Sequence, residues 1–360
     1  MTSLAAPAPA AAPRRVGRTA LVLGALLLAV VTLTLAGIAF GPVRVPLADT
    51  MRILLGADPS DSRWQVVVTT MRLPRVLTAA AAGAALAVAG LQMQTLFRNI
   101  LADPYVLGIS SGASLGVAVV AVGSGSTAAG ITAGLGGGGR AAVVLAAAIG
   151  AAAVLALVLL LSRWVRSAAT LLLIGVMLGA ASTAIVAVFL VYADPRRVQQ
   201  FLLWGLGSFA GTSWSDLRWL LPLTAAGVVA AALTVRPLNA LLLGEGYART
   251  MGVDVRGARV ITCASAAVLA GTVTAFCGPI AFLGLVVPHL CRIALGTSDH
   301  RVLIPGVVLM GAAVALACGL VSQVPGSDTV LPVNAVTALI GAPIVIAVLL
   351  RSRRGLGIER

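Results

Sequence analysis

Apolar runs long enough to cross a bilayer alternate with short polar or Gly/Pro-rich breaks along almost the whole chain. Residues 19–40 form the first, 22 positions without a charge. A helix of about 20 residues spans a hydrocarbon core about 30 Å thick, whereas the apolar stretch of a secretory signal is only about 7–15 residues. Residues 19–40 therefore read as a retained membrane helix. Further runs lie at 74–96, 107–122, 141–161, 171–191, 219–235, 260–276, 280–295, 303–321 and 332–350. The stretch 260–295 decides the count. As one helix its 36 residues would measure about 54 Å. Cys277-Gly278-Pro279 interrupts it, and proline breaks helical hydrogen bonding. Two short helices with a tight turn give ten spans and an all-α polytopic membrane protein. Residues 1–18, rich in Ala and Pro, read as a disordered cytoplasmic tail, 19–351 as one ten-helix domain, and 352–360 as a second cytoplasmic tail.

Composition agrees. Of the 360 residues, 59% are apolar and 10% charged, against about 45–50% and about 25% in soluble domains. The mean hydropathy is +1.05. Too little polar surface remains to cover a soluble fold of this size. The net charge of +14 is spread between apolar runs rather than gathered in a basic stripe, so nucleic acid is not an expected partner. It instead reports topology: with ten spans and the N-terminus inside, 16 of the 25 arginines fall in cytoplasmic segments. That bias favours both termini in the cytoplasm.

Residue counts exclude several chemistries. All 25 basic residues are arginine, which removes a P-loop lysine, a Schiff base and a Ser-Lys dyad. His289 and His300 are too few for a His-rich metal site. Cys263, Cys277, Cys291 and Cys318 lie in apolar runs, without a CxxC pair, and read as buried small hydrophobes. Neither a metal nor a cofactor is expected. The 11 acids avoid the centres of the spans, so the relay that a proton-coupled transporter needs is missing. Energy for pumping must come from another chain. The cytoplasmic loop 237–259 suits such a partner: 241–251 reads as a short helix that Gly252 ends at a C′ position, with Glu245 and Arg249 on one face. By pattern alone a solvated loop serves as well.

Seven stretches carry a family resemblance: MRLPRVLTAAAAGAALAVAGLQMQTLFRNILADPYVLGISSGASLG (71–116), LLLIGVMLGA (171–180), LLWGLGSFAGTSW (202–214), LLGEGYARTMGV (242–253), GPIAFLGLVVPHLCR (278–292), SDHRVLIPG (298–306) and LPVNAVTALIGAPIVIAVLLR (331–351). In this order they resemble the FecCD family, permeases of bacterial ABC importers for iron-siderophores, haem and vitamin B12. The resemblance implies a vitamin-B12-permease-like type II ABC importer fold. It also implies a second permease subunit, a cytoplasmic ABC ATPase and an extracytoplasmic substrate-binding protein. It gives Leu243, Gly244, Glu245, Ala248, Arg249 and Gly252 the role of coupling to the ATPase. Ser167, Ala168, Ala169 and Thr170 take that of the cytoplasmic gate, where small side chains let a pore close without bulky repacking. Read alone, Ser167 is a helix N-cap.

Residues 199–209 resemble the short outward helix that follows the fifth span. Trp204 reads there equally as an interface anchor, and Gly205 and Gly207 suit close packing. His289, after Pro288, reads as a packing residue rather than a haem ligand. Arg72 and Arg75 lie at the outer end of the second span, against the positive-inside bias and at an expected helix N-terminus. Lipid phosphate is one anion that would explain them. The resemblance implies instead that they dock the binding protein. The chain departs from the family pattern at Asn99-Ile100-Leu101, at Gly319 and Gln323, and over 330–334.

The expected function is transmembrane permease of an ABC importer, with an iron-siderophore, haem or a corrinoid as substrate. The chain itself is not an enzyme. An ion-coupled secondary transporter acting without an ATPase is the alternative from another class.

Overall fold

The computed structural model describes residues 13–41, 43, 45–123, 138–162, 164–165, 167–323 and 330–355. These residues are helical apart from loops and one isolated bridge between Gln323 and Val330. The first helix, α1 (Pro13–Ala39), starts six residues before the expected 19, so 13–18 belong to the helix and not to a tail. Two short helices follow, α2 (Leu47–Leu54) and α3 (Ser62–Val66). A π-helical turn, Val67–Arg72, runs from α3 directly into α4 (Leu73–Leu96). A 3-10 turn (Pro104–Leu107) leads to α5 (Ile109–Gly123). Then come α6 (Gly138–Ser162), α7 (Ala168–Val191), the short α8 (Pro195–Gly205) and α9 (Trp214–Leu233). Two short helices, α10 (Val235–Leu242) and α11 (Glu245–Thr250), precede α12 (Val255–Cys277). The chain ends in α13 (Leu283–Leu295), α14 (His300–Val321) and α15 (Val333–Gly355).

Seven helices are long and apolar enough to cross a membrane: α1, α3–α4 as one rod, α6, α7, α9, α12 and α14. Among the described residues three shorter apolar helices, α5, α13 and α15, bring the number to ten. The central rod is α4, buried on nearly every side, with α12 and α14 beside it. Bilayer tails offer no hydrophobic gain for helix association, so close backbone packing must supply it. The sequence provides glycines where helices cross. A Cβ on Gly83 would collide with the Gly311 carbonyl of α14, and one on Gly90 with the Gly284 carbonyl of α13. Gly112 and Gly116 of α5 meet Gly150 and Ala146 of α6 in the same way. By contrast α1, α6, α7 and α9 bury only a narrow stripe. In α7 that stripe is Leu171, Gly175, Gly179, Ser182 and Val186, while Leu173, Met177, Ile185 and Val188 are exposed.

The break between α12 and α13 falls where Gly278-Pro279 predicts it, but it is no exposed tight turn. Five residues, 278–282, connect the helices. Ile280 is fully buried, its N–H bonded to the Tyr105 hydroxyl at 3.3 Å, and the Ala281 N–H donates to Asn334 Oδ1 at 3.1 Å. Tyr105 gets there because the chain after α4 does not stay at the end of the bundle where α4 finishes. It climbs back along α13, so that Pro104 lies against Gly284, which also faces Leu86, midway along α4. Asp103, expected in a surface loop, is thereby level with the middle of the bundle. It is half-buried there, its Oδ1 accepting the Tyr105 N–H at 2.9 Å. Asp103 belongs to no helix, and it is the fold of the connecting segment that carries it inward.

Candidate functional site

The segment expected to lie in the cytoplasm and couple to a partner is two helices, not one over 241–251. Gly244, at φ +109°, splits α10 from α11, a conformation open to glycine at little cost. Gly252, at φ +79°, ends α11 as predicted. The Val253 N–H bonds the Ala248 carbonyl and the Gly252 N–H bonds the Arg249 carbonyl, each at 3.0 Å, which is a Schellman closure. Ala248 is fully buried under α11, while Leu243, Tyr247 and Met251 are more than half exposed. Three large apolar side chains thus face outward on a segment between spans, beside Arg249. Glu245 holds the segment together. One carboxylate oxygen pairs with Arg249 at 3.1 Å and the other with the buried Arg259 of α12 at 2.8 Å.

Arg259 also reaches the Val165 carbonyl at 3.5 Å, just before the residues expected to gate. There Ser167 caps α7, its Oγ facing the Thr170 N–H at 3.5 Å. Ala168, Ala169 and Thr170 form the first turn, three residues earlier than the run at 171 suggested. Ser167, Ala169 and Thr170 are exposed on the single chain.

A polar knot behind α10 escaped the sequence reading. Asp299 caps α14, accepting the Arg301 N–H at 2.9 Å and the Asn239 Nδ2 at 2.6 Å. A carboxylate only accepts, so the Asn239 amide nitrogen faces it and Oδ1 turns to His300. That oxygen receives the His300 backbone N–H at 2.9 Å and Nδ1 at 2.7 Å, which places the imidazole proton on Nδ1. Nε2 then faces the Thr95 hydroxyl at 2.9 Å. His300 is fully buried and ties α10 to α14 and α4. The Arg301 N–H, and next the Asn239 amide, hold the Asp299 carboxyl below the usual carboxylate range. The partners lie 60 residues apart in sequence, so no local spacing announces them.

At the end of the bundle expected to face outward, the two arginines part company. The rod begins at Ser62, capped by Asp61, so Arg72 and Arg75 do not lie at a helix N-terminus. Arg72 is 5% exposed and donates from Nη1 to the Ile38 and Ala39 carbonyls at 2.8 and 2.7 Å, and from Nη2 to the Val43 carbonyl. It satisfies the C-terminus of α1, where the helix dipole favours a cation. Arg18 does the same for α13 at the opposite end of the bundle, donating to the Ile293 and Ala294 carbonyls at 3.1 and 3.2 Å. Arg75 is half-exposed and makes no hydrogen bond or ion pair among the described residues. Gln323 is buried and bonds the Gly319 carbonyl at 3.1 Å. A side chain on Gly319 would meet Phe209.

The remaining singled-out residues pack. Gly207, at φ +70°, lies against the Pro279 carbonyl, whereas Gly205 has open space around it. The Trp204 indole N–H is buried and finds no acceptor among the described residues, unlike an anchor facing headgroups. His289 lines a small apolar recess with Ile100, Leu285 and Val345. All four cysteines are buried thiols.

Comparison with known proteins fits this architecture. Residues 26–351 match the FecCD transport family. The chain is 37% identical over 334 residues to the hemin transport system permease protein HmuU of Yersinia pestis, covering 92% of this chain and 96% of that one. It is 36% identical over 299 residues to the vitamin B12 import system permease protein BtuC of Escherichia coli O9:H4, covering 81% and 86%. A solved ABC transporter assigned to the metal-chelate type, in an inward-facing conformation, superposes with a TM-score of 0.78 at 28% identity, covering 92% of this chain and 99% of that chain.

Proposed function

The chain belongs to the FecCD transport family and is a permease subunit of an ABC importer. From that premise we propose that it carries an iron-siderophore, or a haem or corrinoid of similar bulk, across the cytoplasmic membrane, powered by a separate ATPase. Its copies or a sister permease flank the pathway, both termini are cytoplasmic, and an outer binding protein delivers the substrate. The observation that carries the ATPase reading is α11. It presents Tyr247, flanked by Leu243 just before it and Met251 just after it, to its surroundings on a short segment between two spans. Its Glu245 is anchored inward by Arg259. Exposed apolar residues on a polar loop mark a surface made to be covered. Arg75 is the docking cation for the binding protein, and 167–170 form the gate. The first turn of a helix, lined by Ala and Thr, opens and closes with little repacking.

The test is uptake in vesicles containing the chain, its ATPase and its binding protein, offered ferric siderophores, haem and cobalamin in turn. ATP-dependent accumulation of one of them is expected, and none without the ATPase. Glu245→Arg should leave the chain in the membrane but release the ATPase or stop uptake. Accumulation by the chain alone, driven by an ion gradient, would establish the secondary-transporter alternative. Asp103 would then be the first residue to substitute.

A further inference from the structure

Glu245 and Arg259 do more than fix α11. Arg259 stands in the second turn of α12, its side chain 6% exposed. One arm of the guanidinium meets Glu245 Oε1 at 2.8 Å and the other the Val165 carbonyl at 3.5 Å. Val165 is two residues before Ser167, the N-cap of α7. The second Glu245 oxygen is held by the exposed Arg249 at 3.1 Å. A single buried cation therefore bridges the partner-facing helix and the approach to α7, segments about 80 residues apart in sequence.

We propose that Arg259 is a positioning residue that makes the ATPase-facing helix α11 and the start of α7 move as one unit. The inference rests on the reading of α11 as the coupling surface and 167–170 as the gate. The physical reason is the cost of stranding a guanidinium. A buried cation deprived of its carboxylate is strongly disfavoured, so α11 cannot shift and leave Arg259 behind. Its planar fork fixes direction as well as distance, since the two arms bond Glu245 and Val165 at once. Motion of Glu245 thus pulls the Val165 carbonyl, and with it the cap of α7. Lysine, a point charge, can keep the pairing with Glu245 but cannot fork to both acceptors. Coupling between two sites is typically worth about 5–150-fold in an equilibrium, and losing this link should cost about tenfold in uptake.

The experiment uses the whole complex, permease with ATPase and binding protein in vesicles, with Thr170→Cys as reporter. The native cysteines are buried, so a bulky thiol reagent reads position 170. Labelling is timed with and without a non-hydrolysable ATP analogue. In the otherwise unaltered chain the analogue should change the rate. With Arg259→Gln the ATPase should still co-purify, the analogue should no longer change labelling, and uptake should fall about tenfold. Arg259→Lys should give an intermediate response, and Glu245→Gln should match Arg259→Gln. An unchanged analogue response in Arg259→Gln overturns the proposal. If that variant does not assemble, an unchanged response in both Arg259→Lys and Glu245→Gln overturns it equally. Failure of the unaltered chain to bind the ATPase, or of its labelling to respond to the analogue, would instead sink the coupling or gate reading, and this inference with it.

Discussion

Arginine placement makes sense only once each side chain's partner is known. Arg72 looked misplaced beside an expected helix start, yet its partners are two carbonyls at the far end of α1 and that of Val43 in the connection after it. Arg72→Ala should therefore destabilise the folded chain, by about 3 kcal/mol given charge-assisted bonds of about 1.5–3 kcal/mol each. This is read as a lower thermal midpoint in detergent. Arg75→Glu should leave that midpoint within a degree or two. It should weaken binding-protein association, most at low salt. Equal destabilisation by both changes would refute the division of labour. At the outer surface, Asp49 accepts the Ser60 hydroxyl at 2.6 Å and the Ser60 N–H at 2.9 Å. These bonds, the hydroxyl first, with a smaller contribution from Arg52, hold its carboxyl below the ordinary value. A depressed folded value means the stabilisation is present above the unfolded value, about 3.9, and is lost as pH falls through the folded one. Protease resistance of the 47–66 segment should be flat from pH 8 to about 5 and fall below about 4. Asp49→Asn should be weaker at neutral pH and lack the acid step.

Glycine pairs set how the helices assemble. Gly83 with Gly311 and Gly90 with Gly284 bring α4 into backbone contact with α14 and α13. Neither carbonyl can retreat without moving its helix, so overpacking is costly, typically about 1–3 kcal/mol or more. Gly90→Val should reduce the yield of folded, detergent-stable protein severely, whereas Gly205→Val, where nothing lies within 4 Å, should not. Comparable losses from both would show that helix propensity rather than close approach governs. Sequence hydropathy distinguishes apolar from polar runs, but not a polar run at the surface from one that folds back between helices. Pro104 and Tyr105 are held against Gly284 and Ile280 by contacts that span about 175 residues.

For the whole molecule, α4, α12 and α14 form the packed centre while α7 and the outer helices keep broad apolar surfaces exposed. Those surfaces await lipid or a second permease subunit. The positive-inside bias predicts both termini in the cytoplasm. A reporter at Arg360 should be active only there, and a cysteine at Asp58 should be labelled from outside. An Arg360 reporter active only outside, with the cysteine at Asp58 still labelled from outside, would mean an odd number of crossings, with the α12–α13 connection as the first place to look.

Hydropathy, with Gly278-Pro279 dividing the longest run, determined that the chain is a membrane protein of ten apolar helices, because polar backbone in lipid must be satisfied internally and runs of about 20 residues fit a spanning helix rather than a shorter barrel strand. Gly252 and Ser167 were legible as helix end and cap, since those requirements are local, within four or five residues. The seven ordered stretches made the family legible. What tertiary structure decided was every assignment that depended on a distant partner: Arg72 on α1, Glu245 on Arg259, Asn239 on His300, and Asp103 at mid-bundle. Burial forces each of these polar groups to find a complement, but hydrogen-bonding chemistry specifies only the kind of partner. Which helix supplies it is set by packing, and no spacing along the chain encodes that.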